Sequence, residues 1–410
     1  MGPILIFDKS ALQVLTVDES VWLDTHYLIN VTPLFFVEML ADLSKEMKEG
    51  QSPEQFVGRL AEKTPTGGRP NLHHRTLVEA ELMGNGIEMS RRPIVGGGRN
   101  VSANGRTGII FEEPPENEAL QRWEHKEFLD VERRFARQWR ESLSNIDLES
   151  LFQEGRGIIK RHRRPKDLAE VKQLAVELLE KPGSRYAREA IRRLSTPRLE
   201  KMIYARWEAK GQLPPSTYAP YTSHVMTVDL FFTIALGADL VGRERASNKI
   251  DLAYLYYLPF CMVFTSRDKL HKRAAPLFLG EDQLFIDGDE LKEDLAKLDA
   301  HYSSLPQETK DRGVMSFAHF PPKSKEFLTT RVWDELMSPT WRDDGRTPPR
   351  SPEKEKELLG HLKKIKDAPK GPDTHSVNSD KVDYLLVKRV VPIFKGKWRI
   401  VPPEAEKPQS

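Results

Sequence analysis

The 410-residue chain has a single cysteine, Cys261, which rules out an intrachain disulfide and a cysteine cluster for zinc. A reducing cytoplasm suits such a chain, and Cys261, inside the apolar run 258–264, reads as a small buried apolar side chain. Long hydrophobic runs are missing as well. The longest, 252–264, is interrupted by Pro259 and falls short of the ~20 helical residues that cross a bilayer, so no membrane partner is expected. The N-terminus has no basic-then-apolar leader, and Ile6 stands where N-myristoylation would need Ser or Thr. Charge of one sign is not in excess either. Lys and Arg total 63 against 61 Asp and Glu, so any nucleic-acid surface must come from local segregation of charge. Two further chemistries lack their residues. Gly96-Gly97-Gly98 has no following Gly-Lys-Ser/Thr and reads as a turn rather than a phosphate cradle. No Ser-His-Asp elbow supports acyl transfer.

What is present clusters strongly. Ile4-Leu5-Ile6-Phe7 is apolar on both faces and predicts a strand inside a parallel sheet, ending in Asp8. A helix start follows at 10–15, and Thr32-Pro33 is an N-cap and N1 pair opening a helix over 34–47. Punctuation by Pro and Gly from about residue 48 marks a change, and 94–115 predicts a hairpin-like excursion. Helices are expected at 117–144, 166–181, 184–194 and 197–211, with Trp123 and Trp139 as core. Beyond a Pro-rich break at 214–220 come helices at 224–241 and 247–257, strands at 261–264 and 283–286, and a charged helix at 290–299. Residues 343–372 read as an exposed linker, and 384–401 as β-rich with Gly396 in a hairpin turn. The expected architecture is α/β around a central parallel sheet. Its core is split between 1–47 and 224–304, with a mainly helical insertion over 48–223 and a C-terminal extension over 305–410.

In a parallel sheet, ligands sit beyond the carboxyl ends of the strands. Two of the strands end alike, in Asp8-Lys9-Ser10 and Ser266-Arg267-Asp268, each pairing a carboxylate with a hydroxyl two residues away. Glu38 lies in the apolar stretch 34–40, and Asp251 on the helix feeding the second strand. An isolated buried carboxylate is costly. A shared Mg²⁺ or Mn²⁺, a hard cation that takes carboxylate oxygens, would make several tolerable together.

These residues resemble a PIN domain: an apolar strand into Asp8-Lys9-Ser10-Ala11, then Thr32-Pro33 with Glu38 30 residues after Asp8, then Asp251 17 residues before Asp268 in strand-Ser-x-Asp. The likeness covers roughly 3–45 and 245–295 and is closest to a bacterial PIN-like group with a long insertion. It implies a three-layer core and a metal-dependent endoribonuclease, and it permits a toxin or defence setting. Asp8, Glu38, Asp251 and Asp268 would hold Mg²⁺ or Mn²⁺, with Ser10 and Ser266 orienting them or touching phosphate. Asp24 is a weaker addition. RNA is the expected substrate and DNA a possible one. A structure-specific DNA nuclease on a related scaffold, or an inactive PIN-like module that binds RNA or scaffolds an assembly, are the alternatives.

Cations beside the acids, Lys9, Arg267, Lys269, His271, Lys272 and Arg273, suit phosphate steering. His73-His74-Arg75 is a candidate phosphate or metal contact, although a polar turn capped by Thr76 or Asn71 explains it more simply. Lys160 to Arg164 with Lys166, and Arg185, Arg188 and Arg192 on one helix face, form the densest basic surface.

Overall fold

A computed structural model describes residues 2–45, 50, 52–65, 70–103, 106–111, 114–343, 375–376 and 392–403. The chain is α/β, mostly helical, around a four-stranded parallel sheet. Its strands are β1 (Ile4–Phe7), β2 (Leu28–Ile29), β5 (Val263–Ser266) and β6 (Leu284–Asp287), in the order β2-β1-β5-β6. An antiparallel hairpin of β3 (Gly98–Ala103) and β4 (Arg106–Phe111) lies outside this sheet, as the turn-rich stretch predicts. Among the described residues, none between Ile29 and Val263 adds a strand to the parallel sheet.

The continuous apolar run of β1 is explained by burial on both faces. Ile4 and Ile6, with Phe264 of β5, belong to one apolar cluster; Leu5 and Phe7, with Val263, belong to another. Period-2 alternation therefore feeds two cores rather than one core and solvent. The Thr32-Pro33 signal also holds, since Thr32 Oγ1 accepts from Phe35 N at 3.4 Å and the helix runs Pro33–Ala41.

Several boundaries differ from the sequence expectation. The second site strand is Val263–Ser266, two residues later than expected, because pairing of Phe7 with Thr265 sets its register. The preceding Tyr254–Phe260 segment is a 3-10 turn rather than the end of an α-helix. The single helix expected over 117–144 is two, Pro115–Glu124 and Asp130–Ser144, separated where Lys126 takes φ +63°. Trp123 is core, but Trp139 is half-buried on a cavity wall. Helix Val17–His26 and strand β2 were not signalled by periodicity, because Glu19, Ser20 and His26 are buried beside Val21, Trp22 and Leu23.

The apolar helix Pro220–Gly237 packs against Leu148–Arg161 through a glycine contact. A Cβ at Gly155 would stand 2.1 Å from the Thr233 carbonyl oxygen. Gly155→Ala is expected to cost about 1–3 kcal/mol, the usual range for overpacking, measurable as a lowered urea midpoint.

Of the C-terminal part, 344–372 and 384–391 lie outside the described residues. Phe394–Lys395 and Trp398–Arg399 do pair antiparallel, with Gly396 in the turn at φ +57°. This hairpin docks through Trp398, whose Nε1 donates to Asp299 Oδ1 at 2.7 Å and whose ring meets Trp22 edge-on at 4.7 Å.

Candidate active site

Adjacent strands β1 and β5 end side by side, which brings the two Asp/Ser motifs into one network. Asp8 caps the short helix Lys9–Gln13, its Oδ1 accepting from Ala11 N at 2.9 Å. Ser10 Oγ donates to the Asp8 carboxylate at 2.8 Å and accepts from Arg267 N at 3.1 Å. Ser266 Oγ donates to Asp8 Oδ2 at 2.7 Å and accepts from Asp268 N at 2.9 Å. Each hydroxyl thus bridges one strand end to the other. Ser266 is fully buried, so it orients Asp8 and is not placed to touch a phosphate.

At the centre is His271, expected to be a solvent-facing cation and instead wholly buried. Its Nε2 faces the Asp251 carbonyl oxygen at 2.5 Å, and its Nδ1 stands 2.8 Å from Ser266 Oγ and 3.4 Å from Asp8 Oδ2. A carbonyl can only accept, so Nε2 carries a proton. Ser266 already directs its own proton to Asp8, so Nδ1 must donate as well. Both ring nitrogens are donors, and His271 is an imidazolium paired with the Asp8 carboxylate. Burial opposes that charge, yet the hydrogen bond and attraction from Asp8 outweigh it and lift His271 to about 9. Asp8 moves the other way. Burial raises it, but His271, Ser266 and Ala11 N together hold it below the usual carboxylate range.

The remaining acids surround this pair. Asp268 caps helix Lys269–Phe278, its Oδ1 accepting from Leu270 N at 2.6 Å and His271 N at 3.4 Å. Glu38 accepts a short hydrogen bond from Tyr254, and burial first, then repulsion from Asp8, raises it against the pull of Lys9 and Tyr254. Asp251 makes no side-chain hydrogen bond among the described residues. Burial pushes it up to about 7, opposed by His271 and reinforced by the charges of Glu38, Asp268 and Asp8. Four acids from two distant stretches of sequence therefore act on one another at the carboxyl end of the sheet.

Most of the neighbouring cations are already engaged. Lys9 pairs with Asp42 at 2.9 Å and donates to the Glu38 carbonyl at 3.3 Å; Arg267 pairs with Asp289 at 2.6 Å; Lys272 pairs with Asp287. Arg273 reaches the Leu240 carbonyl at 3.4 Å, and Lys269 is exposed. Asp24 sits half-buried on helix Val17–His26, which packs on Gly288–Ser303. The basic run after Lys160 is largely offset, with Arg163 against Glu177 at 2.6 Å and Arg164 against Asp239 at 3.8 Å. Arg188 faces Glu208 at 3.9 Å, Arg192 pairs with Glu189 at 2.6 Å, and Arg185 lies over Tyr186.

The His73-His74-Arg75 group makes no hydrogen bond or ion pair with these acids among the described residues. His73 itself caps helix His74–Leu82, accepting from Arg75 N at 3.3 Å, while Asn71 Oδ1 accepts from Ile94 N at 2.8 Å. The two imidazoles lie against each other, their centroids 4.2 Å apart.

In donor chemistry the site fits a hard divalent cation, offering four carboxylates and no soft ligand. Among the described residues, no three His, Cys, Asp or Glu groups are arranged to hold one ion. A ready-made three-residue centre is therefore not what this chain offers. One or two carboxylates completed by water and substrate phosphate, the usual manner of Mg²⁺, remain compatible with it. Among the described residues no helix is long and apolar enough to cross a membrane. No family model matches the chain, and no curated protein or solved structure matches it either.

Proposed function

We propose that the chain is a metal-dependent nuclease that hydrolyses RNA at the carboxyl end of its parallel sheet, in a PIN-like core interrupted by the largely helical stretch 48–223. The observation that carries this reading is the single network joining Asp8, Ser266, Asp268 and the Asp251 backbone through His271, with Glu38 tied in beside it by Tyr254. Strand ends in parallel sheets are where such sheets bind ligands.

Mg²⁺ or Mn²⁺, held by one or two of Asp251, Glu38 and Asp268 with water and substrate phosphate completing its shell, would supply charge against the phosphate and a water of lowered pKa. The protein's own part is positional. The Asp8–His271 pair fixes the ends of β1 and β5, and Ser10 and Ser266 lock both Asp/Ser motifs to that frame. Asp251, raised to about 7 by burial first and then by the charges of Glu38, Asp268 and Asp8, can exchange a proton near neutral pH, which is the property a general base requires. Lys269, exposed and next to Asp268, would meet a phosphate. A non-catalytic RNA-binding module is favoured by one specific feature, that Asp8 is already saturated by protein donors and by His271.

One assay separates the readings. Labelled single-stranded RNA and duplex DNA are incubated with the chain in Mg²⁺, Mn²⁺ or EDTA. Cleavage of RNA that depends on the metal is expected; RNA binding without cleavage in any metal would leave the binding module, and preferential cutting of branched or duplex DNA would leave the DNA nuclease.

A further inference from the structure

A cavity of about 510 Å³ lies within the range of pockets that enclose a small ligand. None of the four acids lines it, but Leu34 comes from the helix that carries Glu38, and Ile250 and Ala253 from the helix that carries Asp251. Its lining is not that of an ordinary packing defect. His73, His74 and Tyr256 form a run of tilted ring contacts, with centroids 4.2 Å and then 4.7 Å apart, and Trp139 adds a further ring. Tyr256 Oη donates to Asp229 Oδ1 at 2.5 Å, and Asp229 Oδ2 accepts no hydrogen bond among the described residues. Two cations at the same cavity, Arg75 and Lys249, form no ion pair among the described residues, whereas Arg193 is held by Glu154 and Glu189.

Rings, a half-used carboxylate and unpaired cations together are the complement of one nucleotide. Bases stack on aromatic faces irrespective of sequence, and a single-stranded base exposes its Watson–Crick edge for reading. A carboxylate edge favours two adjacent N–H donors, which guanine supplies from N1 and N2. Adenine presents an acceptor at N1 and would face Asp229 unfavourably. We infer that this cavity binds one nucleotide of single-stranded RNA, the guanine base packed against its aromatic wall and read by Asp229, the phosphate met by Arg75 and Lys249. The inference rests on the nuclease reading only for its consequence, that the two shared helices would direct the adjoining phosphate towards the acids, so that cleavage falls beside guanosine.

Calorimetric titration of the full chain in EDTA, with guanosine 5′-monophosphate, adenosine 5′-monophosphate and inorganic phosphate as probes, tests it without any cleavage step. The guanine nucleotide is expected to bind at least tenfold tighter than either other probe. Arg75→Ala, at an exposed position whose backbone fold it leaves alone, is expected to weaken binding severalfold while keeping the preference for guanine. Asp229→Asn should erase that preference; should this variant fail to fold, the preference in the unaltered chain and the Arg75→Ala result still decide. No binding at millimolar guanosine monophosphate, equal affinity for the two nucleotides, phosphate bound as tightly as nucleotide, or an unchanged affinity in Arg75→Ala would each overturn the inference. Because no metal is present, loss of RNA cleavage would count against the nuclease reading alone, and loss of nucleotide binding against the cavity alone.

Discussion

Asp8→Asn is expected to lower RNA cleavage by about a hundredfold, the order lost when a substitution away from the chemistry misplaces the reacting groups. The substitution keeps the shape of the side chain and its capping role toward Ala11 N, which needs only an oxygen. What disappears is the negative charge. The His271 imidazolium then has no counterion at 3.4 Å, while its Nε2 proton is still committed to the Asp251 carbonyl. Stability should fall together with activity, because an uncompensated buried charge typically costs about 3–5 kcal/mol. Asp268→Asn provides the separation. Asp268 is only half-buried and faces no such partner, so activity should drop with little change in the urea midpoint. Equal cleavage by Asp8→Asn and unaltered protein would remove Asp8 from the site.

His271→Asn should have the largest effect on stability, also about 3–5 kcal/mol, since it strands Asp8 from the other side. Three groups lose a partner at once: the Asp8 carboxylate, Ser266 Oγ and the Asp251 carbonyl. The pair also sets a pH window for the metal-free protein. His271 is raised to about 9 in the fold, so its contribution is fully present below its ordinary value of 6.5 and is lost as pH rises through about 9. Asp8 is lowered, so its contribution is present above its ordinary value of 3.8 and is lost as pH falls through its still lower value in the fold. Urea unfolding in EDTA at pH 6, 7.5 and 9 should show a decline toward pH 9 that His271→Asn lacks. Parallel curves for the two proteins would mean that His271 is neutral in the fold.

The parts legible in the sequence are those governed by local patterns. A fully apolar tetrapeptide feeding two cores, a Thr-Pro cap and a glycine turn each follow from short-range rules, and β1, helix Pro33–Ala41 and the Gly396 turn stand where those rules put them. The repeated Asp/Ser motif pointed to two neighbouring strand ends, and β1 and β5 are neighbours. What stayed hidden depends on side chains that meet across long separations. His271 sits in the basic string Lys269, His271, Lys272, Arg273, and nothing local distinguishes the one that turns inward. Spacing offers a partial signal, because a residue three after an N-cap Asp lies in the first helical turn, back over the strand end. Tyr254 was masked in the same way, inside an aromatic 3-10 turn that looked like the continuation of a helix. The aromatic wall of the cavity needs His74 and Tyr256, 182 residues apart, and no period in the sequence joins them.

The most direct test of the account is whether the acids at the carboxyl end of the sheet provide a cation site. Mn²⁺ binding to the full chain can be followed by the loss of the free-ion electron paramagnetic resonance signal, for the unaltered protein and for Glu38→Gln, Asp251→Asn and Asp268→Asn. The account predicts that one or two of these substitutions weaken Mn²⁺ binding by tenfold or more, although Glu38 and Asp251 are more than 200 residues apart in the chain. Mn²⁺ binding of the same strength in all four proteins would contradict it.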